Sequence, residues 1–245
     1  MSETSAALQP APERRRPEAE DIEVTVVYED EWLIAIDKPP GMVVHPTYKN
    51  WSGTLLNALL WRVRGRHGVV PSIITRLDKQ TSGLVLVALS PVIHARVQED
   101  AAAGRVRKEY LAVVEGVPSP RRGTIALPLA RSPEDRRRVV VTETGQASET
   151  RYDVLSTIGD QSVLRCELVT GRTHQIRVHL AARGWPIAGD EVYGAPHPLL
   201  TRQALHAWRV SLPHPVTREP LQCYAPVPAD LGPLVTEDLI RTLAS

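Results

Sequence analysis

The chain has 245 residues, 42% of them hydrophobic, enough for one substantial core or two small ones. It contains no run of about 18 apolar residues, so no membrane-spanning helix is expected, and its first residues lack the apolar core of a signal peptide. Net charge is only +1, yet residues 61–140 carry 15 Lys or Arg against 7 acids, a basic middle that fits a phosphate-binding face.

In chain order, residues 1–22 come first, with Pro10, Pro12, Pro17 and many charges. They hold too little apolar surface to offset ordering entropy and are expected to form a disordered tail, ahead of a single domain over 23–245. Short β-rich runs follow at Val24–Tyr28 and Leu33–Asp37. Thr54 can cap a helix over Leu55–Val63, where Leu55, Leu56, Leu59 and Leu60 make an apolar stripe. After a strand at Leu84–Leu89, Pro91 opens a helix over Val92–Ala102, at the position that tolerates proline. Strands are expected at Tyr110–Glu115, Ser148–Leu155 and Val163–Val169, with Arg131–Arg138 as an exposed loop. Thr173–Arg183 reads as a helix stopped by Gly184, and a last helix is expected over Pro233–Leu243. Helices scattered among antiparallel strands indicate an α+β fold. Cys166 and Cys223 have no partners at zinc-finger spacing and read as core thiols of a cytoplasmic protein.

Two segments carry the chemistry. In Thr75-Arg76-Leu77-Asp78-Lys79-Gln80-Thr81-Ser82-Gly83, a carboxylate stands between cations in a glycine-ended loop before an apolar strand. A carboxylate so placed, shielded from water, can attack a sugar carbon. Alone, the segment reads more readily as a turn aspartate paired with Arg76, and the catalytic reading rests on the company it keeps. The second segment is Val169-Thr170-Gly171-Arg172-Thr173-His174-Gln175-Ile176-Arg177-Val178-His179-Leu180. Gly171 permits close approach of backbone to a ligand, and Arg172 lies near a helix N-terminus, where anions are favoured. Thr173, Arg177 and Leu180 are expected on one helix face and His174 with Val178 on another. His174 and His179 are five apart, which excludes a shared metal on one face.

Together these segments resemble the central motifs of the RluA class of RNA pseudouridine synthases. Further strings recur in that family's order: Tyr28-Glu29-Asp30-Glu31, Ile36-Asp37-Lys38-Pro39-Pro40-Gly41 with Val44-His45-Pro46, Arg107-Lys108-Glu109-Tyr110-Leu111-Ala112, Pro186 through Gly194, and Leu205-His206-Ala207. The resemblance covers residues 24–230. It implies an enzyme that isomerises uridine in RNA to its C-glycoside, on a curved, mainly antiparallel sheet with flanking helices. By motif correspondence Asp78 is the catalytic aspartate, Arg177 the cation paired with it, and Tyr110 the aromatic that stacks on the base. Arg76 resembles the arginine that fills the space left by the extruded nucleotide. Thr75 stands where the family most often has His.

Such an enzyme must break an N-glycosidic bond, turn the freed uracil and rejoin it through carbon. The aspartate can add at the ribose C1′ or remove the 2′ proton to give a glycal, and the sequence leaves both routes open. Extruding the nucleotide costs a few kcal/mol, roughly, which phosphate contacts can offset. Arg76, Lys79, Arg107, Lys108, Arg172 and His174 are the expected RNA-binding residues, with Arg105 and Arg136–Arg138 as further phosphate contacts. No metal or organic cofactor is required. The expected partner is a ribosomal or transfer RNA stem-loop, bound by a monomer without a membrane. Only about 23 residues precede the expected catalytic domain, too few for the extra N-terminal domain that many relatives carry, which mildly favours transfer RNA or a small set of stem-loops as the target. A short subdomain around 45–70 or 118–145 is expected beside the cleft. Two other readings compete. A non-catalytic RNA-binding protein on the same fold is disfavoured by the joint presence of Asp78, Tyr110 and Arg177. A glycoside hydrolase is disfavoured because Glu109 points away from Tyr110 on its strand and supplies no second carboxylate.

Overall fold

The computed structural model describes residues 16–235 and Leu239. Ten strands form one mixed sheet: β1 (Thr25–Glu29), β2 (Leu33–Lys38), β3 (Ser72–Ile73), β4 (Ser82–Ala88), β5 (Arg107–Glu115), β6 (Arg122–Ala126), β9 (Glu149–Ile158), β10 (Gln161–Leu168), β11 (Leu205–Pro213) and β12 (Pro220–Tyr224). Two more, β7 (Leu129–Arg131) and β8 (Val139–Val141), pair as a separate ribbon. The main path runs β1-β2-β4-β11-β5-β10-β9-β6, with β3 beside β4 and β12 beside β11. Every pairing in it is antiparallel except β4 with β11. With three helices among the described residues beside this sheet, the α+β expectation holds.

Sequence explains the central strands. In β4 all seven residues are buried, so Leu84, Val85, Leu86 and Val87 run as a continuous apolar string rather than alternating. On β10, by contrast, Leu164 and Cys166 turn inward while Arg165 and Glu167 face outward, the alternation of a half-buried strand. Gly83 (φ +106) is dictated by the parallel pairing. A Cβ there would stand 2.2 Å from the Ala207 carbonyl oxygen.

Helix α1 (Leu55–Arg62) starts where Thr54 and Asn57 form a reciprocal cap, and α2 (Pro91–Ala102) starts at Ser90 with proline in its first turn. Helix α3 (Gln175–Ala182) is shorter than expected. His174 takes a left-handed conformation (φ 54, ψ 16), which leaves Thr173 off the helix, and Gly184 follows at φ +80. Residues 1–15 of the expected tail and most of the helix expected over Pro233–Leu243 lie outside the described residues. The end of that tail is bonded to α1 and to the loop before it. Asn57 donates to the Glu18 carbonyl at 2.7 Å, and Glu20 accepts from the Gly53 amide at 2.9 Å. Both cysteines are buried and unbridged. Among the described residues no helix is long and apolar enough to cross a membrane.

Candidate active site

The loop from Thr75 to Thr81 enters β4 at the middle of the sheet and is fastened at several points. Thr75 Oγ1 accepts from the Leu86 amide at 2.8 Å, and the Thr81 amide donates to the Asp78 carbonyl at 3.1 Å. The Lys79 carbonyl accepts from the Gly41 amide at 2.8 Å and from Lys38 Nζ at 3.1 Å. Lys38 is fully buried and also donates to the carbonyls of Pro39 and Met42, which ties the β2–α1 connection to the Asp78 loop. Burial, with the Arg202 charge added, pulls Lys38 down to about 8, against the opposing charges of Asp78 and Asp37. Its sequence signal was the Lys38-Pro39-Pro40-Gly41 string, to which the residue reading attached no role.

Asp78 meets Arg177 across this loop. Arg177 Nη1 donates to Asp78 Oδ2 at 3.0 Å, while its Nε and Nη2 donate to Asp190 at 2.7 and 2.8 Å. Arg177 and Asp190 are both buried; Asp78 is a quarter exposed. Burial works against the Arg177 charge, but the hydrogen bonds and charges of Asp190 and Asp78 outweigh it and hold the guanidinium above its ordinary range. The same exchange keeps Asp190 below its usual 3.8, with burial opposed by Arg177 and by the Val192 and Tyr193 amides. Asp190 was missed because its function is set by a residue 13 positions away. The Gly189-Asp190 turn that presents it needs a glycine, since a Cβ at Gly189 (φ +73) would stand 2.4 Å from the Arg202 carbonyl oxygen. With both oxygens engaged, Asp190 is no free second carboxylate for glycoside hydrolysis.

Tyr110 lies on β5 opposite Cys166 of β10 and Ala207 of β11, and it lines a narrow slot with Asp78, Arg76, Leu168, His174 and Arg177. The slot adjoins a groove of about 400 Å³ that Asp78 and Tyr110 share with Arg76, Lys108, Arg172 and Thr173. Burial, with the Asp78 charge added, pushes the Tyr110 phenol well above its ordinary value, so it stays protonated at neutral pH. Arg76 reaches toward Thr173 Oγ1 at 3.5 Å and lines the rim of both spaces. A second groove, about 430 Å³, runs between Arg76, Arg172 and the ribbon residue Arg131. Lys79 is exposed beside a further recess shared with Arg137, His174 and Arg177.

Arg107 does not join this group. It alternates with Lys108 on β5, so it faces the other side of the sheet, where it donates to Glu167 at 3.1 Å. The structure thus sets it apart from the other expected RNA-binding residues. Arg105 is likewise held by Asp100 at 2.7 Å. Glu109 lies on the Arg107 side, paired with Arg209, as the strand alternation required. His179 is buried, with its ring nitrogens near Thr150 Oγ1, the Leu127 carbonyl and Ser148 Oγ, well occupied without a metal. The ribbon packs on α3 through a small cluster of Leu129, Val139, Val178 and Tyr193, and presents Arg131–Arg138 as a largely exposed loop.

Comparison with known proteins gives a consistent result. The model of a family described as RNA pseudouridylate synthase matches residues 32–182. A Bacillus subtilis protein called uncharacterized RNA pseudouridine synthase YlyB is 39% identical, over 92% of this chain and 76% of its own length. A ribosomal large subunit pseudouridine synthase D from Nitrosomonas europaea is 41% identical, over 89% of this chain and 66% of its own. Among solved structures, human RNA pseudouridylate synthase domain containing 1 matches with a TM-score of 0.69 at 26% identity, covering 89% of this chain and 86% of that one.

Proposed function

The chain belongs to the RNA pseudouridylate synthase family, which isomerises uridine in RNA to pseudouridine, and from that premise we propose that Asp78 is the carboxylate that acts on the target ribose. The observation that carries this reading is the double clamp on Arg177. A buried guanidinium fixed by Asp190 turns its remaining Nη1 to Asp78, beside Tyr110 in one slot. A carboxylate oriented in this way begins the reaction in position, which lowers the entropic part of the barrier.

In this account Asp78 adds at C1′ or takes the 2′ proton, and Arg177 orients it. Tyr110 offers the base a flat apolar face with a protonated hydroxyl at its edge, suited to holding a uracil that must turn. Arg76 at the rim occupies the gap in the RNA stack. Lys108 and Arg172 along the groove, with Lys79, contact phosphates. We place the substrate uridine in large-subunit ribosomal RNA, following the names of the relatives, which moves the target away from transfer RNA. The protein would act in the cytoplasm as a monomer over residues 23–245, on a stem-loop whose uridine is flipped out.

The test is pseudouridine mapping across ribosomal and transfer RNA from cells lacking the gene. One or a few large-subunit sites should be lost, restored by the wild-type chain and not by Asp78→Ala. Restoration by Asp78→Ala would refute the assignment; loss confined to transfer RNA would refute the target.

A further inference from the structure

His174 is one of two non-glycine residues with positive φ among the described residues. The other, Arg218, lies in the β11–β12 turn, where such a conformation reverses the chain. His174 instead occupies the N-cap of α3 and makes no side-chain cap bond there. A β-carbon residue held left-handed without local return points to a requirement elsewhere.

The ring shows what that requirement is. His174 Nδ1 lies 2.8 Å from Tyr193 Oη, and the same Oη accepts the Val139 amide at 2.8 Å. A phenol has one proton to donate, and among the described residues His174 Nδ1 is the acceptor within reach. The imidazole proton then sits on Nε2, which faces Asp78 Oδ2 at 3.8 Å. That oxygen is also the one Arg177 holds, while no protein donor among the described residues reaches Oδ1.

We propose that His174 is a positioning residue for Asp78: a neutral imidazole, its tautomer set by Tyr193, that restrains Oδ2 beside Arg177 and leaves Oδ1 to face the ribose. This rests on the reading of Asp78 as the reacting carboxylate. The separation of 3.8 Å is one small shift from a hydrogen bond, and such contacts tighten when substrate excludes water. The groups facing the ring are Asp78 from its loop, Arg177 from α3, Asp190 and Tyr193 from the segment after it, and Arg131 from the ribbon. Burial lowers the imidazole's proton affinity, and Arg177 and Arg131 add to this against Asp78 and Asp190, so the ring is neutral at pH 7. Protonation would place hydrogen on Nδ1, break the Tyr193 donation and set a second cation against Asp78.

Single-turnover rates at saturating enzyme and separate RNA affinities test this, with His174→Asn, which tolerates the left-handed backbone, Tyr193→Phe and the double variant. Each single change should slow the step by about 10- to 100-fold, a larger effect than any on Kd. The double variant should be no slower than the slower single one. The fall in wild-type rate below pH 6.5 should lose its His174 component in His174→Asn. Multiplying losses, a loss in Kd instead of rate, or an unchanged acid limb would overturn the proposal. Nitrogen-15 shifts of the His174 ring give a readout independent of turnover. They should report the Nε2–H tautomer in the wild type, with the Nδ1 shift moving in Tyr193→Phe as the donated hydrogen bond is removed; an Nδ1–H tautomer in the wild type would refute the proposal even if the protein formed no pseudouridine.

Discussion

Arg177 serves two carboxylates, and the two are unequal. Asp190 is buried and takes two hydrogen bonds, so Asp190→Asn would leave a buried guanidinium without its main counter-charge. Breaking a pair of this kind costs about 3–5 kcal/mol, which thermal unfolding should read, and activity should fall with it. Because the folded Asp190 carboxyl lies below its usual 3.8, its contribution is present above that pH and lost as pH falls through the lower folded value. Acid unfolding followed below pH 4 should therefore be less steep in Asp190→Asn. Lys38 has the opposite slope. Its folded value of about 8 lies below the free 10.5, so its burial opposes folding below pH 8 and is relieved between 8 and 10.5. Stability measured across that window should rise more in the wild type than in Lys38→Met. Asp78, Tyr110 and Arg177 were legible because their motifs are local strings. Asp190, Tyr193 and Lys38 also lie in recurring strings, but which groups they bond is set by the fold, and the strings name no partner for them.

Among the elements, β11 shows why strands were missed. It lies between β4 and β5 at the heart of the sheet, yet His206 and Arg209 interrupt its apolar run. The structure satisfies both from afar. His206 bonds Ser82 Oγ at 3.0 Å and is kept neutral by burial, and Arg209 pairs with Glu109. Strands β3, β7 and β8, with two or three residues each, are too short for periodicity to reveal. Helices α1 and α2 were read closely because their caps are local, whereas the start of α3 moved by two residues at the strained His174. The β4–β11 contact makes a sharp prediction. Gly83→Ala combines an unfavourable φ, about 1–3 kcal/mol by itself, with a backbone clash beside the Asp78 loop. Denaturant unfolding should show at least that loss.

Over the whole molecule, arginines divide by the company they keep. On the outer faces Arg62 and Arg66 share Glu29, Arg105 and Arg218 share Asp100, and Arg107 pairs with Glu167. Around the grooves Arg76, Arg131 and Arg172 have no carboxylate within 4.0 Å among the described residues. Arg76 and Arg131 belong to the basic middle of the sequence, whose total charge was legible, but which of its cations are neutralised depends on the fold. RNA affinity measured against salt should separate the two sets. Arg131→Ala or Arg172→Ala should lower the log–log slope by about 1 each, and Arg107→Ala should leave it unchanged. The most direct test of the central claim is pseudouridine formation by purified Asp78→Asn on a transcript that the wild-type chain modifies. The variant should bind that RNA with wild-type affinity and form no product; product at a wild-type rate would show that another group performs the reaction.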